Sequence, residues 1–441
     1  MRLLQMVFVF GLMVGQTAAA DDANWPQFRG PGARGVAADI GRTAVWSATE
    51  HVAWSRDIAG RGWSSPIVWG DRVFLTTAVS FGEIEEAKKG LYFGGERKDR
   101  PDAEHVWLVV CLDLNTGDVL WEKEVHRGVP EKGLHIKNSY ASESPVTDGE
   151  RVYAYIGNVG LFCLDMAGNL LWDRRWPPVP TQAEWGTAAS PTLHGGRIYI
   201  VNDNQAQSFL EAIECRSGST AWRVERDEKS NWATPFVWEN AQRTELVTPG
   251  SRFTRAYDLE GNELWRLAGA SSITIGTPYA AHGLLYVSSG YILDKKKPVW
   301  AIRPGASGDI TLKENETSNA SIAWCQKMGA PYNPTTLVYG DLLYVLLDRG
   351  LLACYDANSG EVVYDPQRLG GANAYTSSPW AYDGQVFCLD EYGVTTVVKA
   401  GRKFEVLRSN PLGEDDMAMA SPAISGRKLL IRTLSKVYCI E

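Results

Sequence analysis

The chain has 441 residues, 44% of them hydrophobic and 22% charged, which excludes a disordered polymer and exceeds what one compact two-layer core organises. Its formal net charge of −8, with both signs interspersed, argues against non-specific binding to nucleic acid or an anionic membrane. No Walker loop, H-E-x-x-H or G-x-S-x-G sequence occurs, and the seven cysteines show no C-x-x-C or Cys/His spacing, so no motif assigns a catalytic class or a zinc site.

The N-terminus reads as a separate object. Arg2 precedes an apolar run over residues 3–14, and Ala18-Ala19-Ala20 precedes Asp21-Asp22. A charged start, a short apolar core and small residues before a polar segment predict a Sec-type signal peptide over 1–20, cleaved near Ala20. The apolar run falls short of the ~20 residues that span a bilayer, and no cysteine follows it for a lipid anchor. Next comes Asn24-Trp25-Pro26-Gln27-Phe28-Arg29-Gly30-Pro31. Its Gly and Pro preclude regular structure, and its aromatics predict an ordered strap, residues 21–44, lying over the domain. Val52-Ala53-Trp54 then reads as the last strand of a unit that lacks its first three.

From residue 65 onward one unit recurs. Residues 144–172 show it whole: a Ser-Pro opening, a turn at Asp148-Gly149, Val152, Ala154 and Ile156 alternating with Tyr153 and Tyr155, a turn at Gly157-Asn158, a third at Gly168, and a closing Leu-Leu-Trp. That predicts four short strands with three tight turns. The opening prolines stand at positions 66, 145, 191, 235, 278, 334, 379 and 422, a period of about 44 residues, which is the spacing of propeller blades. Insertions lengthen two units. One, over residues 80–104, is charged and Gly-rich and reads as a solvated or partner-binding loop; the other is a polar loop around 313–319. The last unit has room for three strands only. The orphan strand at 52–54 completes it, so the expected fold is all-β: residues 45–441 form an eight-bladed β-propeller of four-stranded antiparallel blades, closed by its N-terminal strand.

Position within the repeat assigns structural roles. Proline suits the first residue of a strand, and the Ser, Thr or Asn before it is expected to bond local backbone. Trp54, Trp121, Trp172, Trp222, Trp265 and Trp324 end their units and are expected to pack between sheets, with the indole N–H bonded to a neighbouring blade's backbone. Cys111, Cys163, Cys354 and Cys439 share one position in four units. Equivalent atoms of separate blades lie beyond disulfide reach, so these are expected to be small buried residues. The six histidines are expected at the surface.

The unit Ser-Pro…Asp-Gly…Val-Tyr…Cys/Ala-hydrophobic-Asp…Gly…Trp resembles the PQQ-like β-propeller repeat. Together with the Asn24–Pro31 segment, Trp63-Ser64-Ser65-Pro66 and residues 135–145, it is similar to exported bacterial BamB-like propellers of the type common in planctomycetes. The resemblance implies an envelope protein, periplasmic or secreted. Quinoprotein dehydrogenases of this fold add an adjacent Cys-Cys pair, Glu, Asn and Asp ligands to calcium and an Asp base. This chain has no Cys-Cys pair and no C-x-x-C-H haem motif, so no catalytic residue is carried over; PQQ and calcium lack support, and neither a cofactor nor a metal site is predicted.

The fold places the loops leading into each blade, and the turns between second and third strands, on one funnel-shaped face. The loops carry Trp63, Asn138, Tyr140, Ser142, Glu143, Trp185, Trp232, Tyr332, Asn333, Tyr375, Met417 and Met419. The turns carry Asn158, Asp203, Asn204, Arg252, Asp348, Arg349, Asp390 and Glu391. Of these, Trp63, Tyr140, Ser142, Glu143, Asn158, Asp203, Trp232, Asn333, Asp348, Tyr375 and Asp390 form the candidate ligand set. The acidic members can hold calcium or act as acid-base groups only if they converge. The expected function is a non-catalytic binding or assembly scaffold in the cell envelope, a monomer without transmembrane span or nucleic-acid partner, taking an envelope protein or a small-molecule or carbohydrate ligand. The alternative is a PQQ-dependent oxidoreductase, or a hydrolase using the funnel carboxylates.

Overall fold

A computed structural model describes residues 23–83, 88–91, 97–98, 101–371, 373–413 and 416–441. The expected signal peptide lies outside the described residues, as does much of the first insertion. Strands are short because each run of β-branched and aromatic residues is stopped by Gly, Asp or Asn within a few positions. Blade 1 is built from Ile67–Trp69, Arg72–Ser80, His105–Asp113 and Val119–Gly128, paired in that order. The inner strands of blades 2 to 7 are Val146–Thr147, Thr192–His194, Phe236–Glu239, Tyr279–Ala281, Leu337–Tyr339 and Trp380–Tyr382, each followed outward by three antiparallel neighbours. Blade 8 takes Ala423–Ser425, Lys428–Arg432 and Lys436–Ile440 from the C-terminus and Val52–Asp57 from the N-terminus. Trp54 stands opposite Cys439 and Asp57 opposite Lys436. The fold is the eight-bladed, all-β propeller expected, and its ends are joined by a sheet that neither end forms alone.

Alternation in the second strands does not mark one wet face. In Arg151–Ile156 every residue after Arg151 is buried, because both faces of a blade pack on neighbouring blades. Only the outer strands, such as Leu170–Arg174, keep an exposed edge.

The terminal tryptophans bind one blade to the next. The indole N–H groups of Trp54, Trp121, Trp172, Trp222 and Trp324 donate to the carbonyls of Leu114, Met166, Cys215, Leu259 and Ala357, at 2.7–3.1 Å. Each ring also lies on the glycine of the following blade's third turn. A Cβ on Gly168 would stand 2.7 Å from Cδ2 of Trp121, and Gly117, Gly218, Gly261 and Gly360 meet their tryptophans in the same way. Trp265 departs from the pattern. It donates to Glu245 Oε2 within its own blade at 2.6 Å. At the same edge the segment Gly308–Asp309 of blade 5 pairs in parallel with Trp265 and Arg266, adding a fifth strand to blade 4.

All seven cysteines are buried free thiols, and burial pushes the Cys111, Cys163, Cys354 and Cys439 thiols up to about 12. The histidines depart from the surface expectation at His105, which is buried between the rings of Trp107 and Tyr140.

The segment from residue 23 to 46 crosses the face formed by the first-to-second-strand turns. Trp25 bridges to Val68 of blade 1, and Val36 to Ala381 of blade 7. Arg29, fully buried, donates to the carbonyls of Pro379 and Thr336 and to Ala33 and Arg34 of its own segment. Without a carboxylate beside it, burial lowers its pKa to about 10.

Candidate functional site

The site begins with the residue that opens each inner strand. The chain must turn there from the outer edge of one blade to the axis of the next. Its hydroxyl side chain was expected to bond local backbone; instead it accepts from the previous blade. Ser65 N–H donates to Ser144 Oγ, Ser144 N–H to Ser190 Oγ and Ser190 N–H to Thr234 Oγ1 (2.8–3.1 Å). Thr277 N–H donates to Thr335 Oγ1, Thr335 N–H to Ser378 Oγ and Ser378 N–H to Ser421 Oγ (3.0–3.1 Å). Eight buried hydroxyls therefore surround the axis.

This ring corrects one register. In blade 6 the opening pair was placed at Asn333-Pro334, but the bonded residue is Thr335, and Thr336 holds the position that proline takes elsewhere. Asn333 is thereby released to the loop above.

The ring lies within an axial cavity of about 240 Å³. Above it the wall is largely aromatic and aliphatic: Trp63, Trp185, Trp232, Tyr332, Ile275, Ile292 and Met419. The Trp63 indole donates to Lys137 O at 2.8 Å and that of Trp232 to Gly186 O at 2.8 Å. The indole N–H of Trp185 is buried with no acceptor. Phe28 of the N-terminal segment lines the cavity at one end.

At the other end Leu91, His135 and Lys137 line it. Lys137, from the loop between blades 1 and 2, forms a buried ion pair with Glu391 of the blade 7 turn. Gly90 is held by both: its N–H donates to Glu391 Oε2 (2.9 Å) and its carbonyl accepts from Lys137 Nζ (2.8 Å). Thr376 Oγ1 adds a 2.6 Å bond to Glu391 Oε1. The first insertion is thus fastened at Gly90 to the Lys137–Glu391 pair, with Leu91 beside it lining the cavity. His135 Nδ1 accepts from Lys137 N at 3.2 Å. Burial, with the Lys137 charge nearby, lowers its pKa to about 4, so the ring is neutral at pH 7.

The structure brings together Trp63, Ser142, Trp232, Asn333 and Asp348 of the candidate set, with Asn138, Trp185, Tyr332 and Met419 beside them. Tyr140 and Asn158 line a separate, smaller cleft with Trp107 and His126. Glu143 is buried behind the wall, accepting from Gly157 N at 3.2 Å, and desolvation raises its pKa to about 7. Tyr375 packs in the core between blades 6 and 7. Met417 is likewise buried. Arg252 is exposed and paired with Asp227.

The funnel carboxylates have separate duties. Asp348 accepts from Tyr332 N, Asn333 N and Asn333 Nδ2 (2.7–2.9 Å), fixing the loop into blade 6. Asp203 takes a bidentate pair from Arg226 (2.8 and 3.0 Å) and a bond from Asn231. Asp390 accepts from Tyr392 N and Val394 N (both 2.9 Å) and from Asn373. Desolvation raises the pKa of all three, against these hydrogen bonds and, at Asp203, Arg226. Asn204 ties its own turn together through Asn202 and Gln207. Among the described residues, no three of His, Cys, Asp and Glu are grouped to hold a metal ion. The donor set for a calcium-bound quinone, several oxygen ligands beside a Cys-Cys pair, is not assembled by these side chains.

Sequence reading missed the Lys137–Glu391 bridge, because its partners are 254 residues apart. It also missed the blade-to-blade bonding of the hydroxyl ring, although the repeated Ser before Pro was its signal.

Compared with families, residues 106–235 match the model described as outer membrane protein assembly factor BamB, so the PQQ-like, BamB-like resemblance holds over those blades. The chain matches no curated protein. Among solved structures it is similar to quinohemoprotein alcohol dehydrogenase from Comamonas testosteroni, with TM-score 0.61, 12% identity, and 96% of this chain and 81% of that one covered. A quinohemoprotein alcohol dehydrogenase from Pseudomonas putida gives TM-score 0.59 at 11% identity, over 98% and 82% of the two chains. BamB from Moraxella catarrhalis gives TM-score 0.43 at 12% identity, over 88% and 99%. At these identities the likeness is one of fold. Among the described residues no helix is long and apolar enough to cross a membrane.

Proposed function

We propose that this propeller is an exported, non-catalytic binding or assembly scaffold of the cell envelope, periplasmic or secreted. One observation carries the reading: the funnel carboxylates Asp203, Asp348, Asp390 and Glu391 are each held by backbone N–H groups or a buried cation. A general acid or base must reach substrate with a lone pair or proton to spare, and these are committed to shaping loops. The family description matched by residues 106–235, an outer membrane protein assembly factor, supports the same reading, as does the rigid closed ring, which presents loops of eight blades on one face.

In this reading the chain works without PQQ or calcium. The test is addition of PQQ and calcium to the purified protein, followed optically and by dye-linked alcohol oxidation. No saturable binding and no turnover are expected; binding with turnover would replace the scaffold by an oxidoreductase. In parallel, crosslinking in intact cells is expected to join the funnel-face loops to a defined envelope protein. Crosslinks that are absent, or scattered over many abundant proteins, would contradict it.

A further inference from the structure

We propose that the face opposite the funnel carries a docking groove for an extended peptide segment of a partner, laid across the inner strands of blades 3 and 4. An inner strand has a neighbour on one side only, so every second residue turns its N–H and C=O to the free edge. In blade 1 that residue is Val68, one before the Trp69–Arg72 pair that closes the hairpin. In blade 7 it is Ala381, one before Tyr382–Gln385.

The N-terminal segment takes up both edges. Trp25 exchanges two bonds with Val68 (2.8 and 2.9 Å), and Ala381 donates to Gly35 O and accepts from Ala37 N (3.0 and 3.1 Å). Pro26, next to Trp25, accepts from Thr147 N of blade 2 at 3.0 Å. Two successive residues thereby serve the inner edges of two adjacent blades.

Val68, Thr147 and Ala381 each stand two places after the opening proline, and so do Leu193 of blade 3 and Val237 of blade 4. Leu193 likewise precedes the closing pair, His194–Arg197. In blade 4 the Asn240 N–H donates to Arg243 O, which sets Val237 on the same outward phase. Both residues are half-buried, and among the described residues their edge-facing N–H and C=O groups have no main-chain partner. Both line a cavity of about 160 Å³, walled on the other side by Gln27, Phe28 and Ala33 of the N-terminal segment.

An unpaired main-chain edge is a template for another strand, and blades 1 and 7 show which chemistry covers it in this protein. A peptide matches these donors and acceptors with its own main chain, whatever its sequence. Side chains then select: Phe28 offers an apolar contact, and Glu239, the carboxylate among the lining residues, favours a basic or neutral side chain over an acidic one. The funnel loops take no part, so failure of the funnel-face reading leaves this groove standing.

The test begins with selection from a phage-displayed random heptapeptide library on the full chain. A selected peptide is then synthesised and titrated by calorimetry. Saturable binding is expected, and a photo-crosslinker on the peptide is expected to attach beside Gln27, His194 or Glu239. Methylating, one at a time, the peptide's backbone nitrogens should weaken binding about tenfold at one or more positions, because each removes a main-chain donor. Leu193→Pro removes an N–H that the sheet does not use, at an edge where strands tolerate proline, and should weaken binding to the same degree. Leu193→Ala keeps that N–H and should change affinity less than threefold. Selection of no peptide, crosslinks elsewhere, or affinity indifferent to every N-methylation would overturn the proposal. So would a dimer in sedimentation whose contacts crosslink to the groove, which would give the edge to a second copy of this chain.

Discussion

Replacing Gly168 by alanine tests the contact that joins successive blades. Gly168 has φ +86°, and an added Cβ would lie 2.7 Å from Cδ2 and 3.0 Å from Cε2 and Cε3 of Trp121. Two costs result. Left-handed backbone costs a non-glycine residue ~1–2 kcal/mol, and forcing a methyl into a packed ring face adds ~1–3 kcal/mol. Gly195 supplies the control: its φ is +58°, but nothing stands within 4 Å of its Cβ position. Gly195→Ala should therefore cost only the backbone term, ~1–2 kcal/mol, and Gly168→Ala ~2–5 kcal/mol. In a Trp121→Ala background the second cost should vanish and the two glycine variants become equivalent. Urea unfolding followed by circular dichroism measures all of them, with hydrogen exchange at the seam between blades 1 and 2 as a local readout. Equal costs for Gly168→Ala and Gly195→Ala, or a Gly168→Ala cost that persists without the indole, would refute stacking as the reason for glycine there.

Three further outcomes are expected. Burial raises the Glu143 carboxyl from 4.5 to about 7, so between those values the folded state binds more protons than the unfolded one, and stability falls as pH rises through the window, by up to ~3 kcal/mol. Glu143→Gln should flatten that fall in melting curves recorded from pH 5 to 8; an unchanged slope would place its cause elsewhere. Glu391→Gln strips the buried Lys137 of its counter-charge and should destabilise by ~3–5 kcal/mol, whereas Lys137→Met with Glu391→Leu should recover most of the loss; thermal unfolding of the single and double variants decides it. A thiol reagent should find none of the seven buried cysteines in the native protein and all seven in denaturant; rapid native labelling would contradict their burial.

The repeat was legible because a propeller writes its architecture locally. Most blades carry a proline-led inner strand, tight turns and a terminal indole, and each feature falls on particular residue types at a spacing of about 44 residues. The closure at Val52–Asp57 followed from arithmetic, one missing strand and one spare. The misreading at Asn333-Pro334 came from the same reliance on pattern. A proline stood near the expected place, just ahead of the true position, and only the ring of hydroxyl bonds shows that Thr335 and Thr336 hold those positions. Trp265 is a second local exception: its sequence position equals that of the other tryptophans, yet its indole bonds Glu245 of its own blade and its strand pairs with Gly308–Asp309.

The candidate site was legible only as a face. Trp63, Ser142, Trp232, Asn333 and Asp348 meet at the axial chamber, whereas Tyr140, Glu143, Asn158, Asp203, Tyr375 and Asp390 serve other places. Residues at equivalent loop positions differ in length and rotamer, and a loop's path is decided by what it packs on. By itself the sequence determined the propeller, its eight blades, the strand that closes it, and the buried roles of its tryptophans and cysteines, since those rest on short-range periodicity and turn chemistry. Only the tertiary structure decided that the repeated hydroxyls form one ring, that Phe28 and Lys137 both reach the axial cavity, and that no three of the described acidic, histidine or cysteine side chains are grouped to hold a metal. Those facts depend on which residues distant in the chain meet at the axis, and no local pattern records that meeting.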